Sequence, residues 1–93
     1  MRNIHQSSQY KKDLKRYARD NEVIKKLFMI LKLLAEEKAI PREFKPHILT
    51  GDYKGLWECH IENNVLLIWI DKDIVELVRL GSHSELFEKG RKR

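Results

Sequence analysis

The sequence predicts an α+β domain with the element order β-α-α-β-β-β, in which a helical hairpin packs on one face of a twisted, mainly antiparallel sheet. Two observations support this fold class. Apolar residues in the first half of the chain recur at helical spacing, and those in the second half form three extended runs separated by short polar links. A chain of 93 residues has the usual length of one domain, so we expect residues 1–93 to form a single domain.

The first half predicts a short strand and then two helices. Residues Arg2 to Gln6 alternate weakly, as a first strand would, and Ser7 and Ser8 are candidate N-caps for the helix that follows. We expect this helix to run to about Asn21, and a second, more buried helix to run from Glu22 to about Lys38.

The second half predicts a loop and a three-stranded meander. Pro41 and Pro46 end helical structure and open a loop that contains His47 and continues to Gly55. The strands are predicted at Leu56 to Ile61, Val65 to Asp71 and Ile74 to Ser82. The middle strand lacks alternation, which is typical of a central strand covered on both faces.

Alternation divides the first meander strand into two faces. Leu56, Glu58 and His60 share one face, and Trp57, Cys59 and Ile61 share the other. Cys59 is therefore expected in the core, and as the single cysteine it suits a reducing cytosol. The pattern leaves Trp57 open between packing under the helices and stacking on a base.

The charge distribution separates a basic half from the histidines. Residues 1–46 hold 12 Lys+Arg against 6 Asp+Glu, a net of +6, and residues 88–93 form a basic tail of +3. Five cations share one face of the first predicted helix and form a candidate surface for ribosomal RNA: Lys11, Lys12, Lys15, Arg16 and Arg19. A solvated helix face without a partner is the alternative. The longest apolar run has six residues, Val65 to Ile70, which excludes a membrane span and favours a cytoplasmic protein.

Three of the four histidines lie beside strand or loop ends in the second half. Antiparallel order places the ends of the two outer meander strands on one edge of the sheet, so His60 and His83 are expected to face one cleft. Two histidines suit RNA cleavage by the 2′-hydroxyl, because one ring can accept a proton while another donates one near neutral pH. Arg79 could stabilise the charge on phosphorus, and no metal or other cofactor is needed. A zinc site is a weaker alternative, since no close pair of ligands is present.

Four segments together resemble the YafQ-type branch of the RelE/ParE superfamily, the toxins of type II toxin–antitoxin modules. They are His47 to Gly51 (HILTG), Tyr53 to Gly55 (YKG), Glu58 to Ile61 (ECHI) and Arg79 to Phe87 (RLGSHSELF). The resemblance covers nearly the whole chain, and it rests on the segments in combination, since each alone is a weak signal.

The resemblance implies a metal-independent endoribonuclease, an mRNA interferase that cuts mRNA in the ribosomal A site. It implies that His47, His60 and His83 are catalytic, that Arg79 binds phosphate and that Phe87 positions the substrate. A cognate antitoxin would neutralise the toxin, and operator DNA would be bound only through that antitoxin.

Two positions depart from the family pattern. Asn64 stands where an acidic residue is common, so it is expected to contact the substrate while a histidine serves as the base. Trp57 stands where an arginine is usual, and Lys54 or the tail would then take over a phosphate contact.

Two other functions stay open at this point. A ParE-like toxin would bind and poison a topoisomerase and would not need clustered histidines. A non-catalytic RNA-binding module would depend on the helix cations alone.

Overall fold

A computed structural model of the protein describes residues 1–88. It contains two α-helices, α1 and α2, five strands, β1 to β5, and a C-terminal π-helical turn. Their bounds are β1 Ile4–Gln6, α1 Ser8–Arg16, α2 Asn21–Ala35, β2 His47–Ile48, β3 Trp57–Glu62, β4 Val65–Asp71, β5 Val75–Gly81 and the C-terminal turn Ser84–Glu88. The predicted α+β class is confirmed. The predicted basic tail, apart from Glu88, lies outside the described residues.

The five strands form one mixed sheet in the order β1-β5-β4-β3-β2. β3, β4 and β5 form the predicted antiparallel meander, with β4 in the middle. β1 pairs with β5 in parallel, and β2 pairs with β3 in antiparallel orientation. The ends of β3 and β5 therefore lie at the same edge, one strand apart, as the sequence predicts.

Both helices begin at side-chain caps and end earlier than expected. Ser7 accepts a hydrogen bond from the Tyr10 amide at the start of α1, and Asp20 accepts one from Val23 at the start of α2. Because Asp20 starts a new helix, α1 ends at Arg16 and not near Asn21. Glu37 adopts a left-handed conformation with φ of 58°, which terminates α2 before the predicted Lys38.

The connection between α2 and β3 is more ordered than the sequence predicts. It contains two 3₁₀ turns, at Arg42–Phe44 and Gly51–Tyr53, and the two-residue strand β2 lies between them. A strand of two residues is too short to give a periodic signal, so the sequence indicates only a loop around His47.

The helices cover one face of the sheet and build the main core there. Thirteen buried side chains form it: Tyr10, Val23, Leu27, Ile30, Leu34, Phe44, Cys59, Ile61, Leu67, Trp69, Val75, Leu77 and Leu80. We call this side the covered face. The other side, the open face, holds a smaller apolar cluster around Leu66, Ile68 and Leu86. Neither helix within residues 1–88 has the length and apolarity that crossing a bilayer requires.

Candidate active site

The alternation of β3 places its polar residues on the open face. Cys59 and Ile61 are buried in the main core, while Glu58 and His60 point to the opposite side beside Leu66 and Ile68. This confirms the faces predicted from the sequence. Burial, with a smaller effect of the Glu58 charge, raises the pKa of Cys59 to about 12, so the thiol stays protonated and is not a nucleophile.

β2 brings His47 onto the same face. His47 lies directly opposite Glu58 in the antiparallel pair, with its Nε2 3.0 Å from a Glu58 carboxylate oxygen. The rings of His47 and His60 are 6.3 Å apart between centroids, at an angle of 39°. Glu58 is almost fully buried and His47 is half exposed, so a buried carboxylate holds an accessible imidazole beside His60.

Both ring nitrogens of His47 have a partner within the protein. Its Nδ1 lies 2.7 Å from the Lys45 carbonyl oxygen, which can only accept, so Nδ1 carries a hydrogen. Its Nε2 faces the Glu58 carboxylate, and that contact also requires one proton between the two atoms. Both nitrogens of His47 are therefore engaged, and neither is placed to accept a proton from a substrate.

His83 lies across β4 from His60, just beyond the end of β5. His60 is opposite Leu66, and Leu66 is opposite Gly81, so the backbones of His60 and Gly81 are about 10 Å apart across β4. His83 follows Gly81 by two residues and is exposed, and its backbone N–H donates to the Asn64 side chain at 3.4 Å. The structure thus places His60 and His83 on one edge, as predicted, with Asn64 beside His83.

The C-terminal turn packs an aromatic ring against His83. The Phe87 ring is 4.9 Å from the His83 ring and 5.2 Å, edge-on, from Tyr53, whose hydroxyl donates to the Leu86 carbonyl. Phe87 is half-buried on the open-face cluster. It therefore closes that cluster and also presents an aromatic ring beside His83.

Gly81 allows the C-terminal turn to lie this close to β5. A Cβ atom at Gly81 would lie 2.7 Å from a Glu85 carboxylate oxygen and 3.3 Å from Leu86. Glu85 accepts hydrogen bonds from the Ser82 amide and from the Tyr17 hydroxyl. These hydrogen bonds, the Ser82 one foremost, hold the pKa of Glu85 below its usual range.

A β-bulge brings Arg79 to the open side. Leu77 faces the main core, and strict alternation would point Arg79 to the same side. The pairing shifts by one residue at Val78, so Arg79 lies opposite Ile68 and Gly81 opposite Leu66. Leu77 and Leu80 both face the main core, at an odd spacing that strict alternation does not allow.

Arg79 is held by a partner that sequence reasoning missed. Its Nε and Nη2 atoms donate to the two carboxylate oxygens of Asp13, at 2.8 and 3.2 Å. Asp13 is fully buried although it lies on the basic helix α1. The only sequence signal for it is that one acidic residue interrupts a run of cations.

The remaining predicted residues are more dispersed. Lys54 is exposed at the end of the second 3₁₀ turn. All five cations of the candidate RNA surface, Lys11, Lys12, Lys15, Arg16 and Arg19, are exposed, although Arg16 also lies 3.6 Å from Glu85.

Trp57 packs against the main core and stacks on Trp69, with ring centroids 6.0 Å apart. The base-stacking alternative for Trp57 is therefore not favoured.

Glu58 and Tyr53 are the other site residues that the sequence did not single out. Each lies one or two residues from a predicted one, Glu58 from His60 and Tyr53 from Lys54. Within residues 1–88, no group of three or more His, Cys, Asp or Glu side chains is arranged to hold a metal ion.

Comparison with known proteins agrees with this geometry. A family model described as the bacterial toxin of a type II toxin–antitoxin system, YafQ, matches residues 2–88. The mRNA interferase toxin YafQ of Escherichia coli K12 is 32% identical over 88 residues, which cover 92% of this chain and 96% of that protein. This relative is an mRNA interferase, which is the class of enzyme that the sequence predicts.

Solved structures match over almost the same range. A metal-bound toxin from Helicobacter pylori has a TM-score of 0.84 and 38% identity, and the match covers 94% of this chain and 100% of that one. YafQ in the E. coli DinJ–YafQ toxin–antitoxin complex has a TM-score of 0.82 and 33% identity, covering 92% and 97%. The predicted resemblance is confirmed: the chain belongs to the YafQ family of bacterial toxins from type II toxin–antitoxin systems.

Proposed function

We propose that this protein is the toxin of a cytoplasmic type II toxin–antitoxin pair and an mRNA interferase, a metal-independent endoribonuclease that cuts mRNA on the ribosome. The observation that carries the proposal is the row His60–Leu66–Gly81 across the open face, with His83 just beyond it. Two imidazoles at one end of the sheet, with an arginine on β5, the strand that leads to His83, and an aromatic ring nearby, suit cleavage next to a ribose.

The reaction needs one base and one acid. The base removes the proton of the 2′-hydroxyl, the 2′-oxygen bonds to phosphorus, and the bond to the 5′-oxygen breaks as the acid protonates that oxygen. The products are a 2′,3′-cyclic phosphate and a 5′-hydroxyl end. We assign the acid and base to His60 and His83, because both nitrogens of His47 are already engaged by Lys45 and Glu58.

The other site residues bind the phosphate and the base. A phosphate oxygen would replace the exposed Lys45 carbonyl as the acceptor for the Nδ1–H of His47, while Glu58 keeps the other nitrogen. Arg79 would stabilise the charge that develops on the phosphate oxygens. Phe87 would stack on a base, and Lys54 and Asn64 would contact the RNA at the rim of the site.

The exposed cations of α1, together with Arg19 in the turn that follows it, are assigned to docking. Lys11, Lys12, Lys15, Arg16 and Arg19 would neutralise phosphates of ribosomal RNA, and the ribosome would position the message. The partner would be a cognate antitoxin, as DinJ is for YafQ of E. coli, and operator DNA would be reached only through the antitoxin.

The test is induced expression with mapping of new mRNA ends, comparing the wild type with His83→Ala. His5→Ala is the matched control, because His5 is exposed in β1 and pairs with Glu76 away from the site. We expect cleavage by the wild type and His5→Ala and a loss of cleavage in His83→Ala. Full cleavage by His83→Ala would overturn the assignment, and arrested replication with intact mRNA would instead favour a topoisomerase poison.

A further inference from the structure

We propose that Asp13 is a positioning residue for the reaction, which fixes the guanidinium of Arg79 in the orientation that binds the phosphate. The inference rests on the proposed function and adds a residue of α1 to the site. It follows from a fully buried carboxylate. All of its hydrogen-bond donors belong either to α1 itself or to the segment of β5 that carries Arg79.

Asp13 is surrounded by hydrogen-bond donors. One oxygen accepts from Arg79 Nε at 2.8 Å and from the Leu80 backbone N–H at 2.9 Å. The other accepts from Arg79 Nη2 at 3.2 Å and from the Gln9 side chain at 3.3 Å. The carboxylate therefore grips both the side chain of Arg79 and the backbone of the next residue, at the strand position that follows the bulge.

The form of this contact determines which part of the guanidinium remains for a ligand. A guanidinium has a side edge, formed by Nε and one Nη, and an end edge, formed by the two Nη groups. Asp13 takes the side edge. Among the described residues, none accepts a hydrogen bond from Nη1, so the end edge is available for two oxygens of a phosphate.

The charge of Asp13 is secure at neutral pH. Burial by itself raises the pKa of the carboxyl group, but the hydrogen bonds from Arg79, Leu80 and Gln9 outweigh burial and hold that pKa below its usual range. The Arg79 side chain is about one quarter exposed, whereas Asp13, which holds its Nε side, is fully buried. Without Asp13, the guanidinium would have several rotamers to lose on binding RNA.

The position of Asp13 also links the proposed docking helix to the site. α1 carries the exposed cations on one side and Asp13 on the buried side. Near the end of the same helix, Arg16 and the following Tyr17 contact Glu85 of the C-terminal turn. A single helix thus touches both the ribosomal surface in the proposed complex and the segments that hold Arg79 and His83.

The decisive experiment is a double-mutant cycle with Asp13→Asn and Arg79→Gln, in which single-turnover cleavage on programmed ribosomes and ribosome affinity are measured separately. Arg79→Gln retains a donor for Asp13, so the buried carboxylate is not stranded. We expect Asp13→Asn alone to lower the cleavage rate about 100-fold, the usual effect of a misplaced catalytic group, with unchanged ribosome affinity. In the Arg79→Gln background, Asp13→Asn is expected to have no further effect on the rate.

Two controls keep the outcome clear. Asp73→Asn removes an exposed carboxylate from the β4–β5 turn and should cleave at the wild-type rate. Asp13→Glu keeps the charge and the acceptors, so it should fold and lose less activity than Asp13→Asn. Thermal unfolding of every variant separates a loss of fold from a loss of position.

The orientation of Arg79 can also be measured by NMR, without an activity assay. In the ¹⁵N NMR spectrum, the Nε–H of Arg79 should exchange slowly in the wild type and rapidly in Asp13→Asn. Equal losses of cleavage rate from Asp13→Asn in both backgrounds, or an unchanged exchange rate of the Arg79 Nε–H, would overturn the proposal. If the wild type does not cleave mRNA, the proposed function fails while the NMR result still tests the positioning.

Discussion

The two faces of the sheet are built from the same strands but from different kinds of residue. The covered face contributes to a core of thirteen buried side chains beneath the helices. The open face has three buried apolar residues, Leu66, Ile68 and Leu86, and around them lie the ionisable and aromatic groups of the candidate site. Stability and chemistry are thus assigned to opposite sides of one sheet, and substitutions on the two sides should have separable effects.

The largest effect is expected from His60→Ala on the open face. Removing a general acid or base usually costs about 100-fold to 10,000-fold in rate. The unfolding free energy should change by no more than about 0.5 kcal/mol, because His60 lies outside both apolar clusters. Single-turnover cleavage and chemical denaturation measure the two quantities on the same sample. A large loss of stability in His60→Ala would contradict the division between the faces.

The opposite effect is expected from Leu27→Ala on the covered face. Leu27 is fully buried, so the substitution should lower the unfolding free energy by about 2–5 kcal/mol, while the folded fraction cleaves at the wild-type rate. Ile74→Ala is the control, since Ile74 is half exposed and the change should cost less than about 0.5 kcal/mol. Urea denaturation measures the unfolding free energy of both variants. Equal losses in Leu27→Ala and Ile74→Ala would show that the main core is misassigned.

A smaller effect is expected from the cations of α1, which lie on neither face of the sheet. Changing Lys11, Lys12 and Lys15 to Gln should weaken ribosome binding and reduce the slope of log affinity against log salt by about 1 for each lysine. Lys25→Gln with Lys32→Gln, on α2, is the matched control and should leave the slope unchanged. Ribosome co-sedimentation at several salt concentrations measures this. An unchanged slope in the triple variant would remove α1 from the docking surface.

The smallest effect is a pH dependence of stability from Asp13. Its pKa is lowered in the folded state from an unfolded value of about 3.9, so the unfolded chain binds more protons near pH 4. Its stabilising contribution is full above about pH 5 and is lost as the pH falls through the folded pKa. The stability difference between the wild type and Asp13→Asn should therefore shrink from pH 6 to pH 2 in denaturation experiments. A constant difference would contradict this linkage.

The sequence predicts the repeating parts of this molecule and misses the parts that break a repeat. Helical spacing and the alternation of β3 correctly place the core and the faces of Glu58 and His60. β2 is only two residues long, and the bulge at Val78 changes the side on which Arg79 lies. Neither follows from periodicity, because each depends on pairing with a neighbouring strand.

The candidate site shows the same limit. The histidines, Arg79 and Phe87 are recognisable by residue type, motif and position. Asp13 is 66 residues away from Arg79 along the chain, and only the packing of α1 against β5 brings the two together. In the sequence, Glu58 looks like an ordinary strand residue. Its contact with His47 becomes visible only because β2 places His47 opposite it.

The most direct test of the central claim is cleavage of a ribosome-bound mRNA that carries one 2′-deoxynucleotide at the mapped cleavage position. The proposed reaction uses the 2′-hydroxyl as its nucleophile, so the purified protein should cut the all-ribose message to a 2′,3′-cyclic phosphate and leave the substituted position intact. Cleavage at the deoxy position at the same rate would show that water or a protein group attacks the phosphate. The roles assigned to His60 and His83 on the open face would then be wrong.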